Sequence, residues 1–238
     1  MHTEFIDYHL DGLLMEGFLA AEQKDNSVAK PLVLVVHDWT GNRELAQEKA
    51  RYFAEQGFVG FAVDLYGKNK RGSDTDKSIN QKLLSELMQQ RHMVVPRLQA
   101  ALDCVKQHVQ IDPQKIMLIG FCMGGLCVLD FARSGAKVAG VVSVHGLLHP
   151  PQNTAKNIVA KVLVLHGYED KSVAPPQVMD FAAEMTKNNA DWQIHIFGNT
   201  YHAFTNPKAN DLAAGLMFNS NANNRTWDLV RDFTTEIL

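Results

Sequence analysis

The chain has 238 residues, a formal net charge of -3, and 46% hydrophobic against 21% charged residues. These values are typical of a globular protein with a large buried core, and they exclude a mainly disordered chain. They imply no broad basic face, so nucleic acid is not expected as a partner.

The cysteines and the apolar runs indicate the compartment. Cys104, Cys122 and Cys127 have neither the spacing of a disulfide framework nor that of a C-x-x-C pair, which favours reduced thiols. No apolar run approaches the roughly 18 residues that a membrane span requires. The first residues have neither the basic start nor the apolar core of a signal peptide. We therefore expect a cytoplasmic protein that does not associate with a membrane.

The first predicted element is an antiparallel hairpin, with strands at residues 5–8 and 14–19 on either side of Asp11-Gly12. Short runs rich in Val, Ile and Leu then predict strands buried on both faces. They lie at residues 32–36, 58–63, 115–119, 138–144, 162–165 and 193–197. Segments with helical spacing lie at residues 43–56, 95–108, 124–134, 175–188 and 226–238.

This alternation of strands and helices predicts an α/β fold with a mostly parallel sheet and helices on both faces. No repeat, low-complexity tract or linker interrupts it, so we predict a single domain over residues 1–238. Two polar excursions, residues 66–80 and 205–224, depart from the alternation, and the first leads into a helix-like stretch at 82–91. Each excursion either frames an active site or is a surface insertion.

The motif with the clearest chemical meaning is residues 120–125, GFCMGG, which follows a predicted strand and opens a predicted helix. In that context G-x-S-x-G makes a nucleophile elbow, a strained turn that projects its middle side chain above the sheet. The middle residue here is Cys122, and the amides of the following helix would stabilise its thiolate. The alternative is that Cys122 is a small buried residue beside a glycine turn.

A base and an acid follow the cysteine in the order that this fold requires. Asp170 comes after one predicted strand and His202 after the next, at the strand ends where the active sites of parallel sheets collect. Glu169 competes for the acid role, but two adjacent carboxylates cannot both face one histidine. We favour Asp170, because the residues after it resemble the D-x-x-V-P ending usual for this loop.

The loop after the first buried strand is expected to complete an oxyanion hole. By position, its donors are the backbone N–H groups of Trp39 and Met123. His145 and His149 are four residues apart, but no nearby carboxylate completes a metal set, so we interpret them as loop or turn histidines. The chain lacks H-E-x-x-H, G-x-G-x-x-G and P-loop motifs, so neither a metal nor a nucleotide cofactor is expected.

Taken together, these motifs resemble the dienelactone hydrolase family of α/β-hydrolases. The resemblance covers most of the chain and rests on the segments 37–41 (HDWTG), 64–67 (DLYG), 120–125 (GFCMGG), Asp170 with 173–175 (VAP), and 201–207 (YHAFTNP). It implies hydrolysis of a small ester or lactone without a cofactor, through an acyl-cysteine at Cys122 that is resolved by His202 and Asp170.

The resemblance also implies further roles around the site. An acidic residue that restrains the resting nucleophile, commonly glutamate in the family, falls at Asp38, which alternatively caps the following helix. Substrate contacts are implied for Tyr66, Tyr201 and Phe204. Where the family has arginines that hold the carboxylate of a dienelactone, this chain has Asn206 and a position near Lys82. The resemblance therefore supports ester or lactone hydrolysis better than it supports specificity for dienelactone.

Two other functions remain open at this level. One is a ligand-binding protein with little or no turnover on the same scaffold, because a fold does not determine function. The other is hydrolysis of a different bond, such as a thioester.

Overall fold

The computed structural model describes residues 1–22, 28–152 and 157–238. The chain divides into two compact units, Met1–Ile119 and Gly120–Leu238. The single domain inferred from the sequence stays a prediction. Within the described ranges, no helix is both long enough and apolar enough to cross a membrane.

The described residues of the first unit form five strands and three α-helices, with a short 3-10 helix at Arg91–Met93. The strands are β1 (His2–Leu10), β2 (Leu13–Ala21), β3 (Lys30–Val36), β4 (Val59–Val63) and β5 (Ile111–Phe121), whose last two residues belong to the second unit. The helices are α1 (Glu44–Glu55), α2 (Lys77–Gln89) and α3 (Val94–His108).

The predicted hairpin is confirmed by the pairing of β1 with β2, in which Leu10 lies opposite Leu13. Its two turn residues, Asp11 and Gly12, both have positive φ angles, of 47° and 80°. A two-residue turn of this kind matches the twist of the strands that it joins. β2 then pairs antiparallel with β4, and β4 pairs parallel with β3.

The core of this unit forms where the apolar strands meet one face of α1. β4 is buried throughout, and α1 contacts β2, β3 and β4. The buried residues of α1 recur at helical spacing: Ala46, Ala50, Phe53 and Ala54. An amphipathic pattern of this kind is stable only when its apolar stripe is covered, which is what the sheet provides.

The second unit continues from the end of β5. Its elements are α4 (Met123–Arg133), β6 (Gly140–Val144), β7 (Lys161–Gly167), α5 (Pro175–Lys187), β8 (Trp192–Phe197), the short pair β9 (Asn210–Asp211) and β10 (Leu216–Met217), and α6 (Ser220–Ile237). β6, β7 and β8 are parallel neighbours in that order. Because their carboxyl ends lie at one edge, the loops after them are brought close together.

Two helices begin earlier than the apolar spacing predicts. α2 begins at Lys77 because the Asp76 side chain accepts a hydrogen bond from the Ser78 N–H. α6 begins at Ser220 because the Asn219 side chain accepts one from the Ala222 N–H. Capping carboxylates and amides satisfy N–H groups that have no partner within the helix, and their effect is independent of the apolar pattern.

Candidate active site

Cys122 sits in a strained turn between β5 and α4. Its φ of 55° and ψ of -116° are unusual for a residue with a side chain, a geometry that costs on the order of 1–3 kcal/mol. Gly120 makes the turn possible, since a Cβ there would overlap the backbone of Gly124. The half-buried side chain is therefore held at the start of α4 by the backbone rather than by its own packing.

The backbone groups of Cys122 are also engaged. Its N–H points at the Val144 carbonyl oxygen, 3.0 Å away, and at His145 Nδ1, 3.1 Å away. Its carbonyl oxygen accepts from the Gly125 N–H at 3.0 Å, which begins α4. The turn is thus tied both to the helix that it opens and to the end of β6.

The second unit brings the three residues singled out in the sequence into one line of contacts. His202 Nε2 lies 3.0 Å from Cys122 Sγ, and His202 Nδ1 lies 2.7 Å from Asp170 Oδ2. Since a carboxylate only accepts, Nδ1 donates to it and Nε2 faces the sulfur. Asp170 Oδ1 accepts from the Ser172 N–H at 2.8 Å, so both of its oxygens are used.

Two close approaches hold the Asp170 and His202 loops together. Gly167, at the end of β7, lies so near the Thr200 carbonyl that a Cβ would collide with it. The Glu169 N–H donates to that same carbonyl at 2.9 Å. His202 is further held by its own backbone, which pairs with Gly215 and Met217 at 3.1 Å each.

The charge state of His202 follows from its neighbours. Burial lowers the pKa of this imidazole, but the negative charge of the Cys122 thiolate and of Asp170, with hydrogen bonds to both, outweighs burial and raises the pKa to about 10. His202 therefore holds its proton at neutral pH, between the Asp170 carboxylate and the Cys122 sulfur.

The neighbouring carboxylate and the other two thiols differ from these residues in their surroundings. Asp170 is buried, whereas Glu169 is exposed. Cys104 and Cys127 are both buried, and burial raises the pKa of the Cys104 thiol to about 11.

Asp38 is engaged within its own loop in the first unit. Its Oδ1 accepts from both the N–H and the hydroxyl of Thr40, at 2.8 and 2.6 Å. The alternative that Asp38 caps the next helix is wrong, because the N-cap of α1 is Arg43. The short side chain of Asp38 therefore shapes the turn that carries Trp39.

Of the predicted substrate contacts, two are buried. Tyr66 donates to the Trp39 carbonyl oxygen at 3.1 Å and lines a cavity of about 250 Å³ in the first unit. Phe204 has 0% exposure and packs edge-on against His145, so it supports the interior rather than offering a surface to a substrate. Tyr201 is half-buried.

Sequence reasoning missed the position of His145. It lies in a turn, as expected, but it is buried against the nucleophile and the base, with its ring centroid 5.1 Å from that of His202. The signal was its place directly after a buried strand, the same kind of position that identified Asp170 and His202. Among the described residues, no group of three or more His, Cys, Asp or Glu side chains could hold a metal ion.

Comparisons with known proteins agree with the motifs. The profile of the dienelactone hydrolase family matches residues 15–238. An Aquifex aeolicus protein, provisionally named a carboxymethylenebutenolidase, is 29% identical over 88% of this chain and 90% of its own length.

Two solved structures superpose over nearly the whole chain. One, named m3DLH, is 30% identical, with a TM-score of 0.91 over 100% of this chain and 98% of its own. The other, a dienelactone hydrolase-like promiscuous phosphotriesterase from metagenomic libraries, is 29% identical, with a TM-score of 0.91 over 99% and 98%. These matches confirm the predicted α/β-hydrolase fold with its mostly parallel sheet.

Proposed function

The chain belongs to the dienelactone hydrolase family, whose members are hydrolases of the ester and lactone type, and from that premise we propose that it cleaves such bonds with Cys122 as the nucleophile. The observation that carries the proposal is the unbroken line of contacts from Asp170 through His202 to the Cys122 sulfur. It has the nucleophile, base and orienting acid of a catalytic triad, with cysteine in place of serine.

In the first half of the reaction, the Cys122 thiolate attacks the substrate carbonyl carbon. A C–S bond forms, and the carbonyl electron pair moves onto the oxygen. When this tetrahedral species collapses, the C–O bond to the leaving group breaks, and the His202 imidazolium gives its proton to the departing oxygen. The product is an acyl-thioester on Cys122 and a free alcohol, or a tethered one if the substrate is a lactone.

In the second half, His202 is neutral and takes a proton from water as the water oxygen attacks the thioester carbonyl. Collapse breaks the C–S bond, releases a carboxylic acid and restores the thiolate beside an imidazolium. Asp170 stabilises this cation and keeps the ring oriented. A thioester is a better acyl donor than an ester, so deacylation need not be slow.

The developing oxyanion needs donors that are already in place. The Met123 N–H is the first backbone amide of α4, where the helix dipole favours negative charge. The Trp39 N–H is the partner donor predicted from the sequence.

Substrate preference is expected to depart from that of dienelactone hydrolases proper. Lys82 is exposed on α2, and Asn206 uses its side-chain oxygen to accept from the Lys208 N–H at 2.9 Å. Neither supplies the guanidinium that would clamp a substrate carboxylate with two hydrogen bonds. We therefore propose neutral esters and lactones as the better substrates.

The test is a substrate panel on the wild type, Cys122→Ala and Cys122→Ser. Aryl esters, lactones, thioesters and dienelactone are compared, with Cys104→Ala as a matched control that removes a thiol elsewhere. We expect ester or lactone turnover in the wild type and the control, and none above background in Cys122→Ala. Retained turnover in Cys122→Ala would contradict the proposal.

The same panel separates the two alternatives. Turnover confined to thioesters would indicate a thioesterase. Binding of a small carbonyl compound without burst or turnover in the wild type would indicate a binding protein.

Asp38 is proposed as a restraint on the resting thiol, as the family resemblance implies. Its hydrogen bonds to Thr40 occupy one carboxylate oxygen, and its side chain is one methylene shorter than glutamate. In Asp38→Asn, which keeps the size but removes the charge, we expect faster alkylation of Cys122 in the absence of substrate. An unchanged alkylation rate would show that Asp38 only shapes its own turn.

A further inference from the structure

His145 lies directly after β6 and is only 3% exposed. Its backbone φ of 41° is unfavourable for a bulky residue, and its N–H donates to the Leu165 carbonyl oxygen at 2.8 Å. A strained backbone conformation of this kind is maintained only where many surrounding contacts hold the residue in place, and such residues cluster at functional sites.

The two ring nitrogens of His145 reach two different parts of the site. Nδ1 lies 3.1 Å from the Cys122 backbone nitrogen, and Nε2 lies 2.9 Å from Thr205 Oγ1. A backbone N–H can only donate, so Nδ1 is the acceptor. Nε2 therefore carries the hydrogen and donates to the threonine hydroxyl, which defines one neutral tautomer.

The environment keeps this ring uncharged. Burial, followed by the positive charge of His202 and a smaller contribution from His166, lowers the pKa of His145 well below its usual value. Phe204 packs edge-on at 5.2 Å between ring centroids, and Phe121 lies at 6.1 Å. His202 and His166 are thus the titratable side chains that act on His145, and a neutral imidazole adds no cation beside the His202 imidazolium.

We propose that His145 is a positioning residue that joins the Cys122 turn to the His202 loop and so sets the contact between sulfur and imidazole. The inference rests on the proposed function. The two catalytic groups stand on segments 80 residues apart in sequence. His145 contacts the backbone of one and Thr205, three residues beyond the other, so it spans both with a single rigid ring.

The loop between His202 and Thr205 explains why such a link is needed. Ala203 has a φ of 57°, a left-handed conformation that a residue with a side chain adopts at a cost. The Asn206 N–H closes the turn on the Ala203 carbonyl oxygen at 2.9 Å. Without the hydrogen bond from His145 to Thr205, this tight turn can shift, and a displacement of about 1 Å at the reacting atoms can cost on the order of 100-fold in rate.

The test cuts the link at the threonine, which leaves every catalytic side chain in place. Thr205→Val removes the hydroxyl at nearly constant size, and Thr205→Ser keeps it. Thr234→Val is the matched control, because it removes a buried threonine hydroxyl of α6 that donates to the Val230 carbonyl oxygen at 2.6 Å. Each variant is measured for thermal unfolding, for the iodoacetamide rate at Cys122 from pH 5 to 9, and for the acylation burst with an aryl ester.

We expect Thr205→Val to slow the burst by about 10–100-fold. Its alkylation rate at pH 7 should also fall, and it should rise more steeply with pH than that of the wild type. Thr205→Ser should recover most of both losses, and Thr234→Val should change the unfolding temperature alone. A second variant, His145→Asn, tolerates the left-handed backbone and keeps an acceptor near Nδ1, but it has no atom at the place of Nε2, so it should behave like Thr205→Val.

Three results would overturn the inference. The first is that Thr205→Val has the burst and alkylation rates of the wild type. The second is that the rates of Thr205→Val fall only in proportion to its folded fraction, and the third is that Thr234→Val shows the same losses of rate. Failure of the proposed function is distinct, since it would be seen as turnover that survives in Cys122→Ala, whatever the threonine variants do.

Discussion

Selective alkylation is the sharpest consequence of the Cys122–His202 contact. A thiolate is the reactive form of cysteine, and the imidazolium 3.0 Å away stabilises it. Iodoacetamide should therefore modify Cys122 well before Cys104 or Cys127. The same reagent leaves a mass label, so peptide mapping assigns each site directly.

The size of this preference follows from the thiol environments. With a pKa of about 11, Cys104 is a thiolate in roughly one molecule in 10⁴ at pH 7. A thiolate of lower pKa is intrinsically less nucleophilic, by about half a logarithmic unit per pKa unit, which offsets part of this difference. Cys122 should thus react at least about tenfold faster than Cys104, even before the burial of Cys104 is considered.

The pH profile gives an independent check. His202 keeps its proton up to a pKa of about 10, so the sulfur of Cys122 has a cationic partner from pH 5 to 9. An isolated thiol reacts about tenfold faster for each pH unit below its pKa of roughly 8.5. The wild type should show a shallower rise than that, whereas His202→Gln, which removes the cation, should show the steeper one. First modification at Cys104 or Cys127, or equally steep rises in the wild type and His202→Gln, would refute the reasoning.

Three further substitutions test the supports of the site and of the first unit. Asp170→Asn should lower kcat by about 10²–10⁴-fold with little change in unfolding temperature. The control Asp180→Asn, at an exposed position, should leave kcat unchanged. Equal kcat values for the two variants would remove Asp170 from the mechanism. Gly167→Ala should cost about 1–3 kcal/mol through overpacking and reduce kcat by displacing the facing loop, while Gly198→Ala, where no described atom lies within 4 Å of the added Cβ, should be tolerated. Equal unfolding temperatures for the two alanine variants would contradict that account. Asp64→Asn removes the charge of a carboxylate with 0% exposure that accepts hydrogen bonds from three backbone N–H groups and from an arginine side chain. We expect the free energy of unfolding, measured in urea, to fall by about 3 kcal/mol. A fall no larger than that caused by Asp180→Asn would contradict this expectation.

The elements of the fold could be predicted because their signals are local. A run such as that of β4 is apolar throughout and is buried throughout, and the Asp11-Gly12 turn has the residues that positive φ angles require. The early starts of α2 and α6 were missed because each depends on one capping side chain, Asp76 or Asn219, that apolar spacing does not register. The order of Cys122, Asp170 and His202 along the chain could be predicted for a similar reason, since each lies in the turn or loop after a strand.

Tertiary structure alone decided which side chains meet. The sequence determined by itself that a cysteine occupies a strained turn and that a carboxylate and a histidine follow it at strand ends. It did not determine that His145 is buried behind the nucleophile, that Phe204 has no exposed surface, or that Asp38 is held by Thr40 rather than by a helix end. Burial and hydrogen bonding depend on contacts between segments far apart in the chain. A pattern of neighbouring residues shows only which side chains are present to make such contacts, not which of them meet.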